Sequence, residues 1–105
     1  MKTLLALLFF ILSLPAFAVD RSTTERYRFA HENPCPADGQ KKYVKCKDYR
    51  IDHKTPLCVD PKGDVAANMQ WLKADVKRSK DAIEHAFCAC VKKHGADACP
   101  KVEWK

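Results

Sequence analysis

Tyr49-Arg50-Ile51-Asp52-His53-Lys54-Thr55-Pro56-Leu57, YRIDHKTPL, is the stretch on which the reading of this chain turns. Large apolar and polar residues alternate from Tyr49 to Asp52, the pattern of a half-buried strand. Ile51 then points inward, and Arg50 and Asp52 share the other face. Pro56 ends or kinks the strand. Neighbouring residues in a regular strand point to opposite faces, so Asp52 and His53 can serve one site only if the strand ends at this pair.

Upstream, the chain is polar from Val19 to Ala30, and His31 to Gln40 (HENPCPADGQ) is rich in turn formers, so this part reads as a knotted N-terminal loop. Val44 is the buried candidate in the basic run Lys41–Lys47. Downstream, Pro61-Lys62-Gly63-Asp64 has turn chemistry, Asn68-Met69-Gln70-Trp71-Leu72 forms a brief second element, and a helix is predicted from about Ala74 to Lys93. Met69 and Trp71 fall on one side of the second element and are expected in the core. Leu72, Val76, Ile83, Phe87, Cys90 and Val91 make an apolar stripe at helical spacing, while Lys77, Asp81, Glu84, His85 and Cys88 share another side. Gly95 stops the helix, and Lys92, Lys93 and His94 complement its dipole.

Residues 1–18, MKTLLALLFFILSLPAFA, carry Lys2, an apolar run from Leu4 to Leu14 and a small-x-small ending at Ala16-Phe17-Ala18. This is the pattern of a secretory signal peptide. The run is short for a hydrocarbon core of about 30 Å, so no membrane anchor is expected after its removal. Residues 19–105 then form one small domain, secreted or periplasmic. Such a domain has a modest core and needs a staple. Its six cysteines, Cys35, Cys46, Cys58, Cys88, Cys90 and Cys99, suit disulfides in an exported chain, with the pairing left open; Cys99 is expected to tie the tail to Cys88 or Cys90. A zinc-stabilised module is the competing reading, although the only close pair is Cys88-Ala89-Cys90. The formal net charge of +6 favours polyanions through counterion release, and also suits an exported protein that merely touches acidic surfaces.

Taken together, Asp52-His53-x-x-Pro56-Leu57, a loop, Asn68-Met69-Gln70-Trp71 and Lys80-Asp81 in the following helix, with Cys35-Pro36 and Cys46 upstream, resemble the HNH endonuclease family, specifically its small exported bacterial members. The similarity spans roughly Pro34 to Asp81. It implies an α+β domain with the ββα-metal fold, a hairpin plus a long helix stapled by disulfides. It further implies that His53 is the general base, that Asp52 is a ligand of a single divalent metal, and that Asn68 either ligates the metal or holds the loop that orients the histidine. The ion would be Mg²⁺ or Mn²⁺, with Zn²⁺ or Ni²⁺ as alternatives. On the helix this chain departs from the family, which has His or Asn where Lys77, Lys80 and Asp81 lie; Asp81 is the ligand candidate. Lys54, Lys73, Lys77 and Lys80 would flank the cleft and hold phosphates.

The chemistry agrees with that assignment. Phosphodiester hydrolysis needs water deprotonated and charge on the phosphorane stabilised. A histidine is largely neutral at pH 7 and able to accept a proton. Hard cations take carboxylate and amide oxygens. The expected activity is cleavage of DNA, with RNA as the alternative substrate and with little sequence preference, since phosphate contacts carry no sequence information. The rival expectation is a catalytically inactive, disulfide-stapled binding protein for a polyanion or cell-envelope partner.

Overall fold

Ser22 marks the start of the first element. In the computed structural model, which describes residues 22–105, its hydroxyl accepts the Glu25 N–H at 3.1 Å and caps helix α1, Thr23–Glu32. The expected signal peptide, residues 1–18, lies outside the described residues. Helix α1 corrects the reading of this part as loop. It buries only Phe29 and Ala30, two adjacent positions that leave no periodic stripe, and the polar remainder hides the helix from a hydropathy pattern.

Strands β1, Tyr49–His53, and β2, Met69–Lys73, pair antiparallel, with Ile51 opposite Trp71, Asp52 opposite Gln70 and His53 opposite Met69. A single 3-10 turn, Ala66–Asn68, leads into β2. Helix α2, Ala74–His94, follows β2 directly and ends at Gly95, whose φ of 88° is readily adopted only without a Cβ. A further 3-10 turn spans Ala96–Ala98. The result is a small α+β domain: one helix, a two-stranded hairpin, then a long helix.

Alternation sends the two faces of the hairpin to different partners. Ile51 and Met69 join Phe29 in the buried core, with Tyr43, Ala66 and Trp71 packed around it. Trp71 closes this face by stacking at a tilt on Phe29, 5.7 Å between centroids, and by donating its indole N–H to Asn33 O at 2.6 Å. Met69 and Trp71 thus belong to the core as their spacing implied. Val44 does not; it is 55% exposed, since Cys46 rather than Val44 is the residue this loop turns inward.

So small a core leaves much to covalent staples. Three disulfides form: Cys35–Cys46, Cys58–Cys88 and Cys90–Cys99. They use all six cysteines, which leaves none to ligate zinc. Disulfides in this number fit an oxidising, extracytoplasmic environment. Among the described residues no helix is long and apolar enough to cross a membrane.

The orientation of α2 differs from the apolar-stripe reading. Val76 and Ile83 are 49% and 54% exposed, and α2 contains no fully buried residue. Its charged side, with Lys77, Lys80 and Glu84, is the one laid against β1. The reason is the partner: Asp52 on that face of the hairpin attracts ammonium groups, and the Cys58–Cys88 bridge fixes the same side of the helix. The apolar stripe is partly roofed by the C-terminal tail, where Phe87 meets Trp104 edge-on at 5.4 Å.

Candidate functional site

His53 is the last residue of β1, on the face that carries Ile51 and Met69. Its Nε2 lies 2.8 Å from Asp64 Oδ1, with both side chains about one-fifth exposed. Asp64 is held in turn, because its other oxygen accepts the Ser22 N–H at 2.9 Å. The cap of α1 therefore positions the carboxylate that positions the imidazole. In the neutral ring, Nε2–H donates to Asp64 and the lone pair resides on Nδ1, which makes no hydrogen bond among the described residues. A base oriented by a carboxylate is the arrangement that general-base catalysis requires. Asp64 escaped the sequence reading: Gly63-Asp64 looked only like turn chemistry, and nothing local links it to a histidine across the loop.

Asn68 is a staple of that loop. Its amide donates to Thr55 O and to Gly63 O, both at 2.9 Å, and its oxygen accepts the Thr55 N–H at 3.0 Å. Its own carbonyl accepts the Lys54 N–H at 2.7 Å. The segment leaving His53 is thus clasped to the start of β2. Gly63 is required for the fit, since a Cβ there would stand 2.8 Å from Asn68 Nδ2.

Asp52 points to the opposite face and is 2% exposed. One oxygen meets Lys80 Nζ at 3.0 Å and Gln70 Nε2 at 3.0 Å; the other lies 3.6 Å from Lys77 Nζ. Lys77 also bonds both oxygens of Asp81, at 3.0 and 3.2 Å. Lys80 donates to Asp52, to Glu84 and to the carbonyl of His53, the last at 2.9 Å, so all three of its N–H bonds are engaged. Burial works against the Lys80 ammonium, but its hydrogen bonds to Glu84 and Asp52 outweigh that and hold its pKa above the ordinary lysine value. Lys80 also sits over the Trp104 ring, 5.7 Å from the centroid.

Asp52, Asp81 and Glu84 each bring one carboxylate oxygen within 4.8 Å of the others, a spacing that could hold a metal ion. Cations already stand among them: Lys80 between Asp52 and Glu84, Lys77 between Asp52 and Asp81. With three carboxylates and two ammoniums the cluster retains one formal negative charge, and a divalent ion would have to displace both lysines to reach oxygen at the about 2.0–2.6 Å it needs. The expected ligand set of Asp52, Asn68 and Asp81 does not converge. Asp52 and Asp81 come together with Glu84, whereas Asn68 stands in the loop with its donors and acceptor engaged, on the side of His53. The residues present do not fit a resident divalent ion.

The four lysines expected at phosphates also divide. Lys77 and Lys80 are bonded to carboxylates, whereas Lys54, beside His53, and Lys73 are exposed. Lys73 lies opposite Tyr49 at the far end of the hairpin, where it lines an open groove with Lys47 and Arg78. Compared with known proteins, the chain matches no family model, no curated protein and no solved structure.

Proposed function

We propose that this chain is an exported nuclease domain, HNH-like in its hairpin, long helix and strand-end histidine but with lysines where that family places its metal, that hydrolyses phosphodiester bonds of DNA, with RNA as the alternative substrate, at low sequence specificity. The observation that carries this reading is the His53–Asp64 contact at the end of β1. Asp64 holds the imidazole in one tautomer, Nδ1 takes a proton from water, and the water oxygen attacks phosphorus while the P–O ester bond breaks. The proton passes from the imidazolium to the departing oxygen or to solvent. Lys54, the next residue in the chain, is exposed, and the groove at the far end of the hairpin, where Lys47, Lys73 and Arg78 stand with Asp48 and Asp75, offers further phosphate contacts of the sequence-independent kind.

A second reading, a non-catalytic protein that binds a polyanion or a cell-envelope partner, is favoured by the pairing of Asp52, Asp81 and Glu84 with Lys77 and Lys80 in place of a metal. The test uses the oxidised protein on supercoiled plasmid and on a single-stranded RNA, with Mg²⁺ or Mn²⁺ and with EDTA. Nuclease function predicts cleavage that His53→Ala lowers by about a hundredfold or more. Retention of both nucleic acids without cleavage under any of these conditions supports the binding reading instead.

A further inference from the structure

We infer that Lys77 and Lys80 are the resident cations of the Asp52–Asp81–Glu84 cluster, so that the charged face of α2 locks onto the hairpin without a divalent ion. Lys80 is the keystone of this arrangement. Its ammonium joins Asp52 of β1, Glu84 of its own helix and the main-chain carbonyl of His53, so one side chain fixes the backbone of the histidine from the face opposite its imidazole. Lys77 closes the other side, bonding Asp81 and approaching Asp52 at 3.6 Å.

Three features make the ammoniums the better occupants. Asp52 is almost wholly buried, and a carboxylate in that position needs a charge partner at all times; two are supplied by the adjacent helix at one-turn spacing. Lys80 finds an acceptor for each of its three N–H groups, whereas an ion in its place would have three carboxylates from the chain and would take the rest of its shell from water. Adding a divalent ion to the lysine-occupied cluster would reverse its charge next to a helix already rich in lysine. Lys80 therefore holds the backbone of His53 in place, while Lys77 completes the charge balance of Asp52 and Asp81, whether or not the chain cleaves nucleic acid.

The test is a Mn²⁺ titration of the oxidised protein followed by electron paramagnetic resonance, with the lysine ammonium signals followed in parallel by NMR under added Mg²⁺. The wild type is expected to bind no stoichiometric Mn²⁺ up to about 1 mM, the weak limit for oxygen-ligand sites, and the Lys80 ammonium signal is expected to stay unshifted. Lys77→Gln with Lys80→Gln is expected to bring in one Mn²⁺ per chain. One Mn²⁺ bound by the wild type below that limit and lost in Asp52→Asn overturns the inference, as does a folded double variant, its disulfides verified by mass, that binds no more Mn²⁺ than wild type. If the double variant fails to fold, the wild-type titration decides. Nuclease activity is not read in this experiment, so a failure of the proposed function would not be mistaken for a failure here.

Discussion

Asn68→Asp separates a loop staple from a metal ligand, because it replaces an NH₂ group by oxygen at almost constant shape. As a staple, Asn68 loses the donors to Thr55 O and Gly63 O and keeps the bond received from the Thr55 N–H. Two neutral hydrogen bonds are worth about 1 kcal/mol each, and leaving two carbonyls facing a carboxylate adds about 1 to 2 kcal/mol, so the expected destabilisation is about 3–4 kcal/mol at pH 7. A metal ligand would behave in the opposite sense, since carboxylate is the stronger ligand for a hard cation and the variant would gain stability in Mg²⁺. The assay is urea unfolding with the disulfides intact, followed by circular dichroism and tryptophan fluorescence, in EDTA and again in Mg²⁺. A loss below about 0.5 kcal/mol in EDTA, within the range of ordinary surface changes, would refute the staple. So would a variant rescued by Mg²⁺.

Further outcomes follow from the same contacts. Gly63→Ala places a Cβ 2.8 Å from Asn68 Nδ2 and 3.0 Å from the Asp60 carbonyl; it should cost about 1–3 kcal/mol in the same unfolding assay, as overpacked sites do. Replacing Cys58 and Cys88 by alanine opens a link across 30 residues and should lower stability by about 3–4 kcal/mol, measured against wild type by thermal unfolding. Because the folded Lys80 pKa lies above its ordinary value of 10.5, its contribution is complete below that pH and is lost as pH rises through the folded pKa. Urea midpoints should therefore fall above pH 10.5 in the wild type and fall less in Lys80→Met. Asp64→Ala frees the His53 ring and should reduce any His53-dependent cleavage by about tenfold or more, with the unfolding midpoint reported alongside to separate orientation from stability.

The hairpin and the long helix were legible because each carries its signal locally. Alternation around Ile51 and the pair Met69–Trp71 marks strands, and Gly95 marks the helix end. Helix α1 was not legible from hydropathy, yet Ser22-x-x-Glu25, a capping pattern, was in view; Ser22 does cap the helix, although Glu25 turns away to bond Ala66 N and Arg28. The stripe through Val76 and Ile83 misled for a physical reason. Amphipathicity says which residues share a face, but a buried carboxylate and a disulfide on the facing element decided which face was applied to the sheet.

The candidate site divides in the same way. His53 and Asp52 were recognisable as a pair, and their divergence to opposite faces follows from strand alternation once β1 is seen to include both. Asp64 was invisible, because its contact with His53 depends on where the intervening loop is clasped by Asn68 and bolted by Cys58–Cys88. The residue types at the helix were readable as well, but not that Lys77 and Lys80 would stand between the carboxylates.

By itself, then, the amino-acid order determined the hairpin and the long helix, the cysteine-stapled small domain and the charge, since these depend on near neighbours and composition. Only the tertiary structure decided which carboxylate orients His53, which cations balance Asp52 and which cysteines join. Those contacts connect residues from 9 to 30 positions apart, and their free energy resides in distances and burial that exist only after the loop has closed.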